Sequence, residues 1–303
     1  MDLIMYGITT NENFFNQKQK IEQLSREQFE ELFKIRQLIN SNKAFLFNMD
    51  YLIQNYIDFE LALNKVSLLY QTYPADREII EESLRRINLK LMNLFSTSKA
   101  FIDKGHSLIK RILNTEYFTA RTNFYYDKFF SYRLIEALRN LTQHSDDPLD
   151  VLKFNSEWIS GSSITTVVPF IDTDRLKLNE KFKSSILPPG SCHINLTLCV
   201  RQYLECLSKI YNETVKKVHP IIQLQVENAK KILHKKELNT DTKNILIFVN
   251  SDLKYQISLD LLKFNLLSKK HGQLNNLSKR CFSTQISKKD LAVIKNIDAK
   301  YAK

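Results

Sequence analysis

The chain has 303 residues, 43% hydrophobic and 25% charged, with a formal net charge of +11, a balance that excludes a largely disordered polymer and has the length for one large domain or two ordinary ones. Only 5 Gly and 6 Pro accompany 19 Phe and 13 Tyr, which argues against a sandwich or a doubly wound sheet and for long helices. Neither a Walker loop nor G-x-G-x-x-G is present to cradle phosphates, so nucleotide-driven folds are disfavoured.

The first residues, MDLIMYGITTNENFF, carry an early acid and no basic flank, so no signal peptide is expected there. No stretch approaches the roughly 18 apolar residues of a membrane helix, and the expectation is a cytoplasmic chain without a membrane. Helical periodicity begins near Ile21 and is clear where Phe29, Leu32, Phe33, Ile35 and Leu38 or Ile39 fall near the i, i+3, i+4, i+7 pattern. A second helix is expected from about Phe45 to Tyr70, and a third, long one begins at Pro74 and Asp76. A fourth runs from about Phe118 to His144 and stops where Asp147 precedes Pro148. Four helices with short connections predict an antiparallel bundle over residues 1–150.

Beyond residue 150 the texture changes. SSITTVVPFID is β-branched and predicts a strand, and LPPGS at 187–191 is a break. A long helix follows from 193 to about 236, capped by Ser191 or Asn195, with a kink or break expected at Pro220. Two strand-like runs around Asn250-Ser251-Asp252 predict a hairpin, and a Lys-rich tail from 268 ends in a short helix over 288–302. The expected fold is mainly α: an N-terminal helical bundle over 1–150, and over 151–303 an extension of strand, long helix, small β-hairpin and basic tail, packed on the bundle or separate from it.

Cys192, Cys199 and Cys206 recur every seven residues and are expected as small buried apolar groups; a zinc site favours closer pairs, so no metal and no cofactor is assigned. The charge is uneven. Residues 207–303 carry 19 Lys+Arg and 8 Asp+Glu, which is the whole excess. Such asymmetry points to a polyanion, with nucleic acid ahead of a membrane, or simply to a solvated Lys- and Asn-rich surface.

The segment RLIEALRNLTQH, residues 133–144, carries the densest polar pattern. At about 100° per residue, Arg139, Gln143, Glu136, Asn140, Arg133 and His144 share one helix face, while Leu134, Leu138 and Leu141 lie opposite. An exposed face with Glu136 paired to Arg139 and His144 at the helix end explains these letters structurally. The spacing Arg139-Asn140-x-x-x-His144 also resembles the signature of the HEPN superfamily, helical bundles with an Arg, a polar residue directly after it and a His four to six residues beyond the Arg. The resemblance covers about the first 150 residues. It implies a metal-independent ribonuclease in toxin, antiviral defence or RNA-processing roles, or a catalytically silent scaffold that binds a protein or nucleic acid. It implies His144 as the acid or base, Arg139 on the phosphate and Asn140 orienting His144 or the scissile group, with Glu136, Arg133 and Gln143 in support. The residue types suit the chemistry: attack by the 2′-OH needs a group that moves protons near neutral pH and positive charge on the transition state. One His per chain serves poorly as both acid and base, so a homodimer is expected, with RNA as partner and an inhibitory protein among the partners the resemblance allows. Lys269, Lys270, Lys279 and Arg280 in the tail are candidate RNA contacts, with Phe282 or Tyr301 available to stack on a base.

A rival signal is Gly161-Ser162 followed by Asp172-Thr173-Asp174, which looks like the G-S…D-x-D of minimal nucleotidyltransferases. The β-branched run between them is not the turn that likeness requires. Cys192 beside His193 invites a thiol-nucleophile role, but adjacent residues do not face one another on a helix.

Overall fold

A computed structural model of the chain describes residues 6–10, 21–74, 76–143, 147–149, 151–236, 245–249, 257–259 and Lys269. It is mainly helical. The helices are α1 (Arg26–Thr72), α2 (Arg77–Leu113), α3 (Tyr117–Lys128), α4 (Phe130–Thr142), α5 (Thr173–Leu178) and α6 (Leu196–Lys235). The strands are β1 (Tyr6–Thr10), β2 (Ile21–Leu24), β3 (Val151–Ile159), β4 (Ser162–Asp172), β5 (His193–Asn195), β6 (Ile245–Val249) and β7 (Ile257–Leu259).

The chain divides into two compact units. Unit 1 comprises 1–47, 104–115 and 212–276; unit 2 comprises 48–103, 116–211 and 277–303. Both draw on segments from either side of residue 150, because α1, α2 and α6 each run through both.

Unit 1 holds an antiparallel sheet of order β2-β1-β6-β7. β6 and β7 pair with Ile247 opposite Ile257, in keeping with the expected hairpin, whose connecting residues lie outside the described ones. β6 also pairs with β1, Ile247 opposite Ile8, and both side chains are fully buried. The alternation of buried Ile245 and Ile247 gives the sheet its apolar face.

Unit 2 holds the C-terminal part of α1, the N-terminal parts of α2 and α6, the helices α3, α4 and α5, and a sheet of order β3-β4-β5. Its core is aromatic and leucine-rich. Phe101 of α2 lies 6.4 Å from both Phe118 of α3 and Tyr211 of α6, ring centre to ring centre, and Phe59, Phe95, Phe130, Leu134, Leu138 and Leu207 are buried around them. Lys90 of α2 pairs with Asp58 of α1 at 3.0 Å. An apolar groove of about 410 Å³ continues that seam, with Val66 and Leu69 facing Ile79 and Ser83, so the two helices run antiparallel.

Helix starts follow side-chain capping. Ser25 and Gln28 exchange bonds as a capping box for α1: Gln28 N–H donates to Ser25 Oγ at 3.1 Å and Ser25 N–H to Gln28 Oε1 at 3.0 Å. Asp76 caps α2 through Ile79 N–H, and Asn195 caps α6 through Leu198 N–H, both at 3.1 Å.

Several elements differ from the expectation. Ile21–Leu24, where helical periodicity is expected to begin, is the strand β2, and the helix expected from 193 starts at Leu196, after the short strand β5. The two helices expected over 21–70 are one helix of 47 residues, about 70 Å long. Ile39-Asn40-Ser41-Asn42 contains neither Gly nor Pro, and its propensity cost is a few tenths of a kcal/mol per residue. The Arg111 guanidinium braces that stretch in unit 1 by donating to Gln37 O at 3.2 Å and Ser41 Oγ at 2.7 Å. Conversely, the single helix expected over 118–144 is two, α3 and α4, separated at Phe129, whose φ −117° and ψ 121° are extended. The α6 helix passes through Pro220 without a break; Val218, Ile222, Val226, Ala229 and Leu233 are buried along it. Finally, the expected strand at 162–172 is half of a hairpin with β3, closed by Ser160 (φ 51°) and Gly161 (φ 81°), the two consecutive positive φ values of a type I′ turn.

Candidate functional site

The helix carrying Arg139 and Asn140 is buried almost all round. Phe130 to Ile135, Ala137, Leu138 and Leu141 of α4 are all buried, leaving Glu136, Arg139, Asn140 and Thr142 on one narrow edge. That edge is where the motif meets solvent. Arg133 is not on it: only 9% exposed, its guanidinium donates Nη1 to Tyr126 O at 3.0 Å and to Asp127 O at 2.6 Å. A charged donor on the last carbonyls of α3 stabilises that terminus, and it accounts for the break at Phe129 that no Gly or Pro announces. Arg133 thus holds the α3–α4 corner rather than the motif.

Glu136 and Arg139 come together. Arg139 Nη1 lies 2.8 Å from Glu136 Oε2, with side chains 12% and 16% exposed respectively. The Tyr203 hydroxyl, from α6, donates to the other carboxylate oxygen, Glu136 Oε1, at 2.6 Å. Tyr132 packs edge-on against Tyr203, ring centres 4.9 Å apart. Burial above all, and then the Glu136 carboxylate, hold both phenols well above the usual tyrosine range, so both remain neutral, with their hydroxyl hydrogens available to donate. One side of the Arg139 guanidinium is therefore fixed by a carboxylate that is itself fixed by a tyrosine.

The guanidinium is not fully satisfied. Arg139 Nε and Nη1 are buried and make no aligned hydrogen bond among the described residues, and neither does the Tyr132 hydroxyl; the contact with Glu136 is one of charge rather than of hydrogen-bond geometry. Arg139 Nη2 points toward Asn140 Oδ1 at 3.4 Å. Asn140 is exposed, so this pair is the outward polar tip of α4. The helix closes with Thr142 Oγ1 and Gln143 N–H donating to Arg139 O at 2.8 and 3.3 Å. Gln143 is exposed and caps the end.

His144 lies outside the described residues, as do Lys270, Lys279, Arg280, Phe282 and Tyr301. Lys269 is helical and exposed. The chain past His144 is anchored: Asn88 of α2, only 3% exposed, donates Nδ2 to Leu149 O and accepts Leu149 N–H on Oδ1, both at 3.0 Å. This paired clasp ties Leu149 to α2.

Tyr132, Tyr203 and Asn88 went unnoticed in the sequence. Asn88 left a signal, since it occupies a core position in the series Leu84, Asn88, Leu91, Phe95 on α2, where a polar side chain needs a dedicated partner. Tyr203 left none, being brought to Glu136 by helix packing across 67 residues.

The rival signals resolve into structural roles. Gly161 sits in the β3–β4 turn, while Asp172 Oδ1 accepts Asp174 N–H at 2.9 Å to cap α5. The two lie at opposite ends of the 11-residue β4, roughly 33 Å apart, so Gly161-Ser162 and the aspartates do not share a site. Asp174 is held below the usual carboxylate range by bonds from Ser191 and Lys177. Cys199 and Cys206 are buried on α6 as expected, and Cys192 is half-buried. Among the described residues no helix is long and apolar enough to cross a membrane.

Comparison with protein families, with curated proteins and with solved structures finds no match.

Proposed function

We propose that this chain is a metal-independent, HEPN-like endoribonuclease in which the tip of α4 binds a backbone phosphate. The reading rests on Arg139, whose guanidinium is held on one side by Glu136, itself bonded by Tyr203, and whose Nη2 reaches the polar tip of α4 beside exposed Asn140. A phosphate oxygen meeting Nη2 beside Asn140 is the acceptor of the right charge. In this scheme His144 takes the proton from the 2′-OH or returns one to the leaving 5′-oxygen, and Arg139 offsets charge on the phosphorane. The basic excess of residues 207–303 supports RNA as the polyanion.

A catalytically silent helical scaffold is the second possibility, favoured by one feature: the Arg139 charge is already matched by Glu136 in a nearly buried pair. RNA would have to compete with that carboxylate.

Cleavage of a labelled mixed-sequence RNA in excess EDTA separates the two. The nuclease cuts in chelator, and Arg139→Ala and His144→Ala each lower the rate by about 100-fold or more while circular dichroism stays native. Native protein that cuts nothing, or equal background cutting by all three, leaves the scaffold.

A further inference from the structure

β3 is an outer strand of the β3-β4-β5 sheet, and among the described residues nothing pairs with its free edge. Which backbone groups line that edge follows from the register. Phe154 stands opposite Val167, and Val167 N–H turns away from β3 to donate to Ser67 Oγ at 3.1 Å. Phe154–Val167 is therefore a non-hydrogen-bonded pair, and by strict alternation the N–H and C=O groups of Leu152, Phe154, Ser156 and Trp158 all point outward.

The strand reads Val-Leu-Lys-Phe-Asn-Ser-Glu-Trp-Ile from 151 to 159. About Asn155 it is self-complementary: Lys153 mirrors Glu157, and Leu152 mirrors Trp158. An antiparallel partner centred on Asn155 matches each outward residue with another outward residue, Leu152 with Trp158 and Phe154 with Ser156, as ladder hydrogen bonding requires. Lys153 and Glu157 face away from the helices; Lys153 lies over the Phe170 ring at 4.7 Å, and neither has an ion-pair partner among the described residues. On the inner face Phe154 stacks on Tyr70 at 4.0 Å, whereas Trp158, opposite Ser163, leaves 79% of its surface exposed.

We infer that β3 pairs with β3 of a second copy of this chain about a twofold axis at Asn155, joining two three-stranded sheets into one. Lys153 then meets Glu157 of the second copy and the reverse, and each Trp158 is covered by Leu152 of the other chain. An isologous contact has this property, residue i on j and j on i. Opposite charges fix the register as like charges forbid it. This surface stands or falls independently of what Arg139 does.

The test is the sedimentation behaviour of the full chain with three kinds of variant. Native protein forms a dimer, and its only tryptophan, Trp158, shifts its fluorescence to the blue as concentration rises. Lys153→Glu or Glu157→Lys alone weakens the dimer roughly tenfold, since each creates two like-charge pairs per dimer, and the double exchange restores it. Ser156→Pro removes an outward N–H that β4 does not use and yields monomer. Asn155→Cys places two thiols across the axis at a non-hydrogen-bonded pair, with Cα atoms about 4.5 Å apart, and forms a covalent dimer on oxidation that native protein and Thr166→Cys do not. A chain that stays monomeric at about 0.1 mM overturns the inference. So does a dimer that is indifferent to Ser156→Pro and not trapped by Asn155→Cys.

Discussion

Asn88 clasps Leu149 through both ends of its amide, and Asn88→Leu would keep the branched arrangement of heavy atoms while removing both bonds. Leu149 is 1% exposed, so its N–H and C=O would be left dry and unpaired. Each such group costs about 1–3 kcal/mol, and the more apolar side chain returns about 1 kcal/mol, for a net loss of about 3 kcal/mol. At about 2 °C per kcal/mol for a chain of this size, the melting temperature should fall by about 6 °C. Hydrogen exchange gives the local reading: the Leu149 amide, protected in the native protein, should exchange at least about 100-fold faster. Asn93→Leu, on the exposed side of the same helix, serves as control and should stay within about 0.5 kcal/mol. If Asn88→Leu melts with the native protein and the Leu149 amide stays protected, the clasp does not hold Leu149 in place.

The ion pair between Arg201 of α6 and Glu60 of α1, bidentate at 2.7 and 2.9 Å and mostly buried, should show strong coupling. Arg201→Met should cost about 3 kcal/mol by leaving Glu60 uncompensated beside Tyr56, whereas Arg201→Met with Glu60→Leu should recover most of it; additive losses in a denaturant-based double-mutant cycle would show that the pair is not coupled. Ser160 pays for its φ of 51° in the β3–β4 turn, and Ser160→Asn gives the Asn-Gly sequence that type I′ turns favour. A stabilisation of about 0.5 kcal/mol in urea melts is expected, and a loss would rule out that turn geometry.

How far the sequence reaches can be seen residue by residue. Ser25-x-x-Gln28, Asp76 and Asn195 mark helix starts because a cap acts within one turn, and local chemistry is what sequence spells out. The β4 strand, the β6–β7 hairpin and the buried Cys199 and Cys206 were legible from periodicity for the same reason. The turn before β4 was written in Ser160-Gly161 as well, though β3, with its mixed polar and aromatic letters, has no clean alternation to announce it.

The break at Phe129 and the continuity of α1 through Asn40 and Asn42 were not legible, since both depend on arginines that act at a distance: Arg133 on the carbonyls of α3, and Arg111 on Gln37 and Ser41. The same holds for the motif. Its letters, and the i, i+3 pairing of Glu136 with Arg139, are fixed by sequence and helix geometry. Whether that arginine faces water or a carboxylate gripped by Tyr203 is decided by the packing of α6 against α4, because burial and the supply of partners for a charge come from elements distant in the chain.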